Sequence, residues 1–102
     1  MGQFLQHPVY KPVTIYRDDG CMAWCIKKEK IIYMANVWVH EDKRNQGVAR
    51  NMMKEIKNHF QDFEIHTDYT NESKPFWKKM EAEGIINKTI KERIDFNWIK
   101  KS

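Results

Sequence analysis

The nine residues from Ile31 to Val39, IIYMANVWV, are apolar at nearly every position. A strand with one face in water alternates apolar and polar side chains, so this run predicts a central strand covered on both faces. Helices are expected to cover at least part of its sheet, and the next segment supplies one. From Gly47 onward Val48, Met52, Ile56 and Phe60 recur every four residues with Ala49 and Met53 beside them, while Arg50, Lys54, Glu55, Lys57 and Asn58 point elsewhere. That spacing predicts an amphipathic helix of about three to four turns packed on the sheet.

The rest of the chain fits around this pair. Val13 to Arg17 is β-branched and aromatic, Asp18-Asp19-Gly20 is turn chemistry, Cys21 to Lys28 follows, and Glu29-Lys30 separates it from the apolar run. An antiparallel meander of three strands is the economical reading. FEIHTDY, residues 63–69, reads as a further strand, and NESKPFWKKMEAEG, residues 71–84, as a second helix with Ser73 as N-cap, Pro75 in the first turn and Gly84 as the stop. The tail offers two short strands, Ile85 to Ile90 and Ile94 to Ile99, joined by Lys91-Glu92-Arg93. The expected fold class is α+β: a mixed, mostly antiparallel sheet of about six strands with two main helices. At 102 residues there is room for one core, so residues 1–102 are expected to form a single domain.

Composition removes several classes. With 41% hydrophobic, 13% aromatic and 31% charged residues, and only four Gly and three Pro, the chain is neither disordered nor collagenous. No run approaches the roughly 18 apolar residues of a membrane span, and the first residues lack a basic region followed by an apolar one. A cytoplasmic protein without a membrane partner is expected. Gln6 stands where a myristoylation start needs Ser or Thr. Cys21 and Cys25 have neither a second Cys pair nor a histidine at ligand spacing, and His7, His40, His59 and His66 are scattered, so no metal is expected and the thiols read as core. The net charge of +4 favours an anionic ligand without choosing one.

The candidate site is the hinge between the apolar strand and the first helix. VWV, then HEDKRNQ, then Gly-Val-Ala bring unpaired backbone N–H groups together at the positive end of a helix dipole, where a phosphate binds without a special side chain. Gly47 lets the backbone approach the anion, Ala49 keeps the first turn uncrowded, and Arg44 and Arg50 add charge suited to a pyrophosphate. The competing reading is an ordinary strand-to-helix corner with solvated arginines.

RNQGVA, Arg44 to Ala49, resembles the Q/R-x-x-G-x-G/A signature of the GNAT acyltransferases, VWV resembles the end of their fourth strand, and NESKPFWKKMEAEGI is similar to their segment after the fifth. The resemblance covers about residues 20 to 99 and implies the family's three-layer fold, with the N-terminal helices reduced or absent here. It implies that Val37, Trp38 and Val39 offer backbone groups to the pantetheine of acetyl coenzyme A. Asn45, Gln46, Gly47, Val48 and Ala49 would surround the pyrophosphate, with Arg44 and Arg50 flanking, and Asn71 would meet the pantetheine arm or its loop. The implied reaction moves an acetyl group to a primary amine by direct attack in a ternary complex, the thioester carbonyl polarised by a backbone N–H such as that of Val39.

The resemblance thins at the chemistry. Where some relatives keep a glutamate this chain has Tyr33 or a neighbour, so the base is left among Tyr33, His40, Glu41, Asp68 and a water relay. Where the family usually has a tyrosine acid this chain has Trp77, whose indole is no proton donor at useful pH. Tyr69, Ser73 or water is left for that role, or the thiolate leaves unaided. The short N-terminus predicts an open acceptor site that takes a small-molecule or protein amine, completed by substrate or by a partner chain such as a second copy in a homodimer. A catalytically degenerate module that binds coenzyme A or a protein is the alternative. Nucleic acid is not an expected partner, because aromatic residues are not interleaved with the lysines as stacking platforms.

Overall fold

The computed structural model describes residues 2–101. Strands β1 (Gln3–Gln6), β2 (Val13–Asp18), β3 (Cys21–Lys28), β4 (Ile31–Val39), β5 (Glu64–Asp68) and β6 (Lys88–Ile90) form one sheet in chain order. The first four pair antiparallel, and β5 and β6 join in parallel. Helix α1 (Val48–His59) crosses from β4 to β5, and α2 (Lys74–Ala82) from β5 to β6. Both crossovers step the same way across parallel strands, and right-handed connections therefore put both helices on one face. The main core records this: Met52, Met53 and Ile56 of α1 and Trp77 and Met80 of α2 pack with Ile32, Met34 and Ile65 of the sheet. No helix among the described residues is long and apolar enough to cross a membrane.

The opposite face has a second, smaller core. Val13, Ile26 and Ile99 are buried there, with Tyr10, Trp24, Tyr33 and Phe96 packed against them. The apolar run of β4 is thus covered on both sides, but the outer cover is the irregular segment 93–99 rather than a helix. Cys21 and Cys25 are free buried thiols facing the main core. Burial pushes the Cys25 thiol up to about 12, which keeps it protonated and unreactive at neutral pH.

Three expectations are corrected. A strand over Gln3–Gln6 pairs with β2 and was not foreseen; four mostly exposed residues carry almost no periodic signal. Of the two tail strands, the first shrinks to Lys88–Ile90, because Ile85 N and Ile86 N both donate to Met80 O in the turn that ends α2. The second does not form. Ile94 N donates to Asp68 Oδ2 at 2.9 Å, Asn97 N to Asp95 Oδ1 at 2.9 Å, and a short 3-10 turn closes the segment over Asn97–Lys101. Side-chain acceptors take the amides that a ladder would have used.

The N-terminus of α2 is also built differently. Ser73 is already in helical conformation and makes no side-chain cap bond to the helix that follows it. Ser73 N donates to Thr70 Oγ1 at 3.2 Å, and Thr70 N to Ser73 Oγ at 2.9 Å. This is a reciprocal capping box in which Thr70 is the cap and Ser73 the third helical position.

Candidate functional site

β4 carries the feature that shapes the site. Trp24 of β3 lies opposite Ala35, but Met22 lies opposite Trp38, so Asn36 and Val37 together face the single residue Ala23. This is a β-bulge, and Asn36 adopts the left-handed conformation, with φ of 50°, that asparagine tolerates better than most residues. The extra residue switches the strand's parity. Ile32 and Met34 face the helices before the bulge and Val37 and Val39 after it, while Trp38 is sent to the other face and left 47% exposed.

The bulge also parts β4 from β5. Their pairing runs from Ile31 with Glu64 to Met34 with Thr67 and then stops, although β4 continues to Val39. A cavity of about 770 Å³ opens where the strands separate, roofed by the first turns of α1 and α2. Its far wall is Thr67, Asp68, Tyr69, Thr70, Ser73, Phe76, Trp77 and Met80, of which Thr67, Thr70, Phe76 and Met80 were given no role from the sequence. The signal available was the end of a strand followed within one helical turn by a helix start.

The turn into α1 makes the cavity's polar end. A 3-10 turn over Glu41–Lys43 follows β4, and Asn45 and Gly47 both take left-handed conformations, with φ of 62° and 77°. Gly47 is the N-cap, and no side chain caps the helix there, so the amides of Val48, Ala49 and Arg50 form its open N-terminal turn. A Cβ built on Gly47 would meet nothing within 4 Å. The glycine is therefore not required by internal packing; it is required by its backbone angle, and it leaves space in front of the amides.

Nine of the eleven residues expected at the donor site line this cavity: Val37, Trp38, Val39, Arg44, Asn45, Gly47, Val48, Ala49 and Arg50. Gln46 and Asn71 do not. Gln46 Nε2 donates to Asp42 O at 2.7 Å and braces the loop from behind, and Asn71 is exposed on the turn before α2. Arg44 Nε donates to Val39 O at 3.1 Å, tying the loop to the strand end. Arg50 Nε donates to Glu83 Oε1 at 3.0 Å at the end of α2, and this bond is the main reason the Glu83 carboxyl is held below its ordinary range. The two arginines are thus not simply solvated. Lys43 and Lys79, not anticipated, add positive charge to the lining.

The candidates for proton transfer divide. Asp68, Tyr69 and Ser73 line the cavity. His40 and Glu41 lie on the exposed turn beyond it, and Tyr33 is packed edge-on to His66 and Phe96 on the opposite face. Trp77 is 6% exposed and belongs to the main core while bordering the cavity. Lys74 and Lys78 lie over the Tyr69 ring at 5.9 and 5.4 Å, and Lys27 and Lys30 over Phe63 at 5.1 and 5.6 Å. These rings are occupied by the protein's own cations.

The sequence family described as the acetyltransferase (GNAT) domain matches residues 9–81. This chain belongs to the GNAT acetyltransferase family. The match takes in β2 through most of α2, so the bulge, the glycine turn and the cavity all fall inside it, and β6 and the segment 93–99 fall outside. The GNAT domain is also similar in structure to AAC(6')-Iy, an acetyltransferase solved in complex with the bisubstrate analogue CoA-S-monomethyl-acetylneamine, with a TM-score of 0.52 at 17% identity. The similarity covers 82% of this chain but only 65% of that one, and at such identity it is a likeness of fold. No curated protein matches the sequence.

Proposed function

We propose that this GNAT domain transfers an acetyl group from acetyl coenzyme A to a primary amine. The observation that carries the reading is the single cavity that joins an uncapped helix N-terminus behind Gly47 to the gap between β4 and β5. The pyrophosphate would lie against the amides of Val48, Ala49 and Arg50, within reach of Arg44, Lys43 and Lys79. The pantetheine would run along β4 from Val37 to Val39 as an added strand does, on the edge that β5 has left. The coenzyme analogue named for the structural relative supports this reading of the ligand.

The neutral amine nitrogen attacks the thioester carbonyl carbon, the C–N bond forms, and the C–S bond breaks to release the thiolate. The amine gives up its surplus proton and the thiolate regains one. With a thiol pKa of roughly 8 to 9 the leaving group needs little help, which suits a site where tryptophan stands in the usual acid position. Tyr69 and Ser73 border the cavity, and on this reading one of them or a water returns the thiolate's proton, while Asp68 or water takes the amine's proton.

Calorimetry with coenzyme A and acetyl coenzyme A, followed by a thiol-release assay with a panel of amines, tests the proposal. Binding with amine-dependent release of thiol supports it. Binding without release from any amine favours the alternative of a coenzyme-binding module without turnover, and no binding at millimolar concentration removes both.

Arg50 supplies a further expectation. Glu83 competes with any phosphate for this guanidinium, so Glu83→Gln should free Arg50, remove a repelling carboxylate and tighten coenzyme A binding about threefold to tenfold. The gain should shrink as salt rises. Unchanged affinity in Glu83→Gln would show that Arg50 does not reach the anion.

A further inference from the structure

The face of the sheet away from the helices holds a second cavity of about 500 Å³, within the usual range of small-ligand sites. Tyr10, Trp24 and Phe96 form its apolar wall, and the exposed residues Arg93 and Asp95 form its charged rim. The wall is held from within the protein. Val9 N and Tyr10 N both donate to His7 Nδ1 at 3.0 Å, and the His7 ring meets Trp24 edge-on at 5.1 Å, so one histidine positions two of the three rings. The rim is held as well: Ile94 N donates to Asp68 Oδ2 at 2.9 Å and Asn97 N to Asp95 Oδ1 at 2.9 Å, which ties the chain down on both sides of Asp95. Yet Arg93 and Asp95, opposite in sign and two residues apart, form no ion pair with each other or with any other described residue.

We infer that this cavity binds an α-amino acid with an aromatic or large apolar side chain, as the zwitterion. The inference goes beyond the acetyltransferase reading and does not depend on it. The three rings take a hydrocarbon or aromatic side chain out of water and offer it edge and face contacts. Arg93 presents a planar fork of donors to a carboxylate. Asp95 presents an acceptor to an ammonium, which the neighbouring ring faces also favour. A ligand with one charge leaves one rim residue unanswered and sets its own charge beside a like one, whereas a zwitterion answers both. The bound amine is not an acetyl acceptor: no described residue of β4 or β5 lines this cavity, so the amine is held away from the gap between those strands.

The probes are phenylalanine, phenethylamine, which lacks the carboxylate, and 3-phenylpropionate, which lacks the ammonium, added to the full chain without coenzyme. Each titration follows the Trp24 indole N–H resonance, assigned with Trp24→Phe. Phenylalanine should shift it saturably, with a Kd about threefold to fivefold below that of either half-molecule, the scale of one exposed ion pair. Arg93→Gln should weaken phenylalanine by about the same factor and leave phenethylamine no weaker. Asp95→Asn, which keeps an acceptor for Asn97 N, should weaken phenylalanine likewise and leave 3-phenylpropionate no weaker. The inference is overturned if phenylalanine leaves the resonance unmoved, if either half-molecule binds as tightly, or if either variant binds phenylalanine as well as the parent chain does. Failure to bind coenzyme A, by contrast, removes the acetyltransferase reading and leaves these titrations standing.

Discussion

Gly47→Glu is expected to abolish coenzyme A binding, raising the Kd at least about a hundredfold, in a protein that remains folded. The added carboxylate would project into the space in front of the Val48, Ala49 and Arg50 amides, where nothing lies within 4 Å of the Cβ position and where the proposed pyrophosphate needs to sit. It would satisfy the same amides and attract Arg44 and Lys43, so it blocks the anion by occupancy as well as by repulsion. Its cost to folding is the positive φ of 77°, roughly 1–2 kcal/mol for a side chain in the left-handed region. A carboxylate at a helix N-terminus returns about 0.3–1 kcal/mol of that. The net loss is small against the roughly 5–15 kcal/mol of a typical domain. Gly47→Ala separates the two effects: it incurs the same backbone strain without charge and should weaken binding far less than glutamate. Calorimetry with coenzyme A, paired with urea unfolding of each variant, measures both. If glutamate and alanine weaken binding equally, backbone angle and not anion contact is the role of Gly47.

How far the sequence disclosed this site depends on which property each part uses. Periodicity reported α1 correctly, because Met52, Met53 and Ile56 are buried by the spacing that made them visible. The same signal hid the bulge at Asn36. β4 is covered on both faces, so a shift of parity between Met34 and Val37 leaves the apolar run unbroken. A strand with one wet face would have shown the slip. The tail misled in the opposite way: Ile94, Phe96 and Trp98 alternate like a strand, but Asp68 and Asp95 capture backbone amides and turn the segment aside. Asp68 lies 26 positions before the amide it holds, and Glu83 lies 33 after Arg50, so neither pairing leaves a local trace. The donor half of the site was legible because backbone angle and helix start are local. The smaller core on the opposite face was not, since Tyr10, Trp24 and Phe96 meet only through the fold.

Trp77→Ala should cost roughly 3–5 kcal/mol, the usual range for removing a large buried aromatic side chain, and a domain of this size has little reserve beyond that. The residue is 6% exposed and packs with the core shared by both helices and the sheet, so the void would open where α2 meets β4 and β5. A large fall in the urea midpoint is expected, with loss of coenzyme A binding as a consequence of loosening. The informative partner is Trp77→Phe, which keeps an aromatic ring in the core and should lose much less stability. Because an indole N–H does not protonate a thiolate, the phenylalanine variant should retain the kcat of acetyl transfer within about twofold at saturating substrates. A fall of tenfold or more in kcat, with the urea midpoint and the coenzyme A Kd unchanged, would show that the indole takes part in the chemistry. The expected pattern, stability lost on truncation and kcat kept on ring exchange, would instead assign Trp77 to the wall that holds β4 and β5 apart, leaving proton transfer to groups that reach the cavity with an acidic or basic atom.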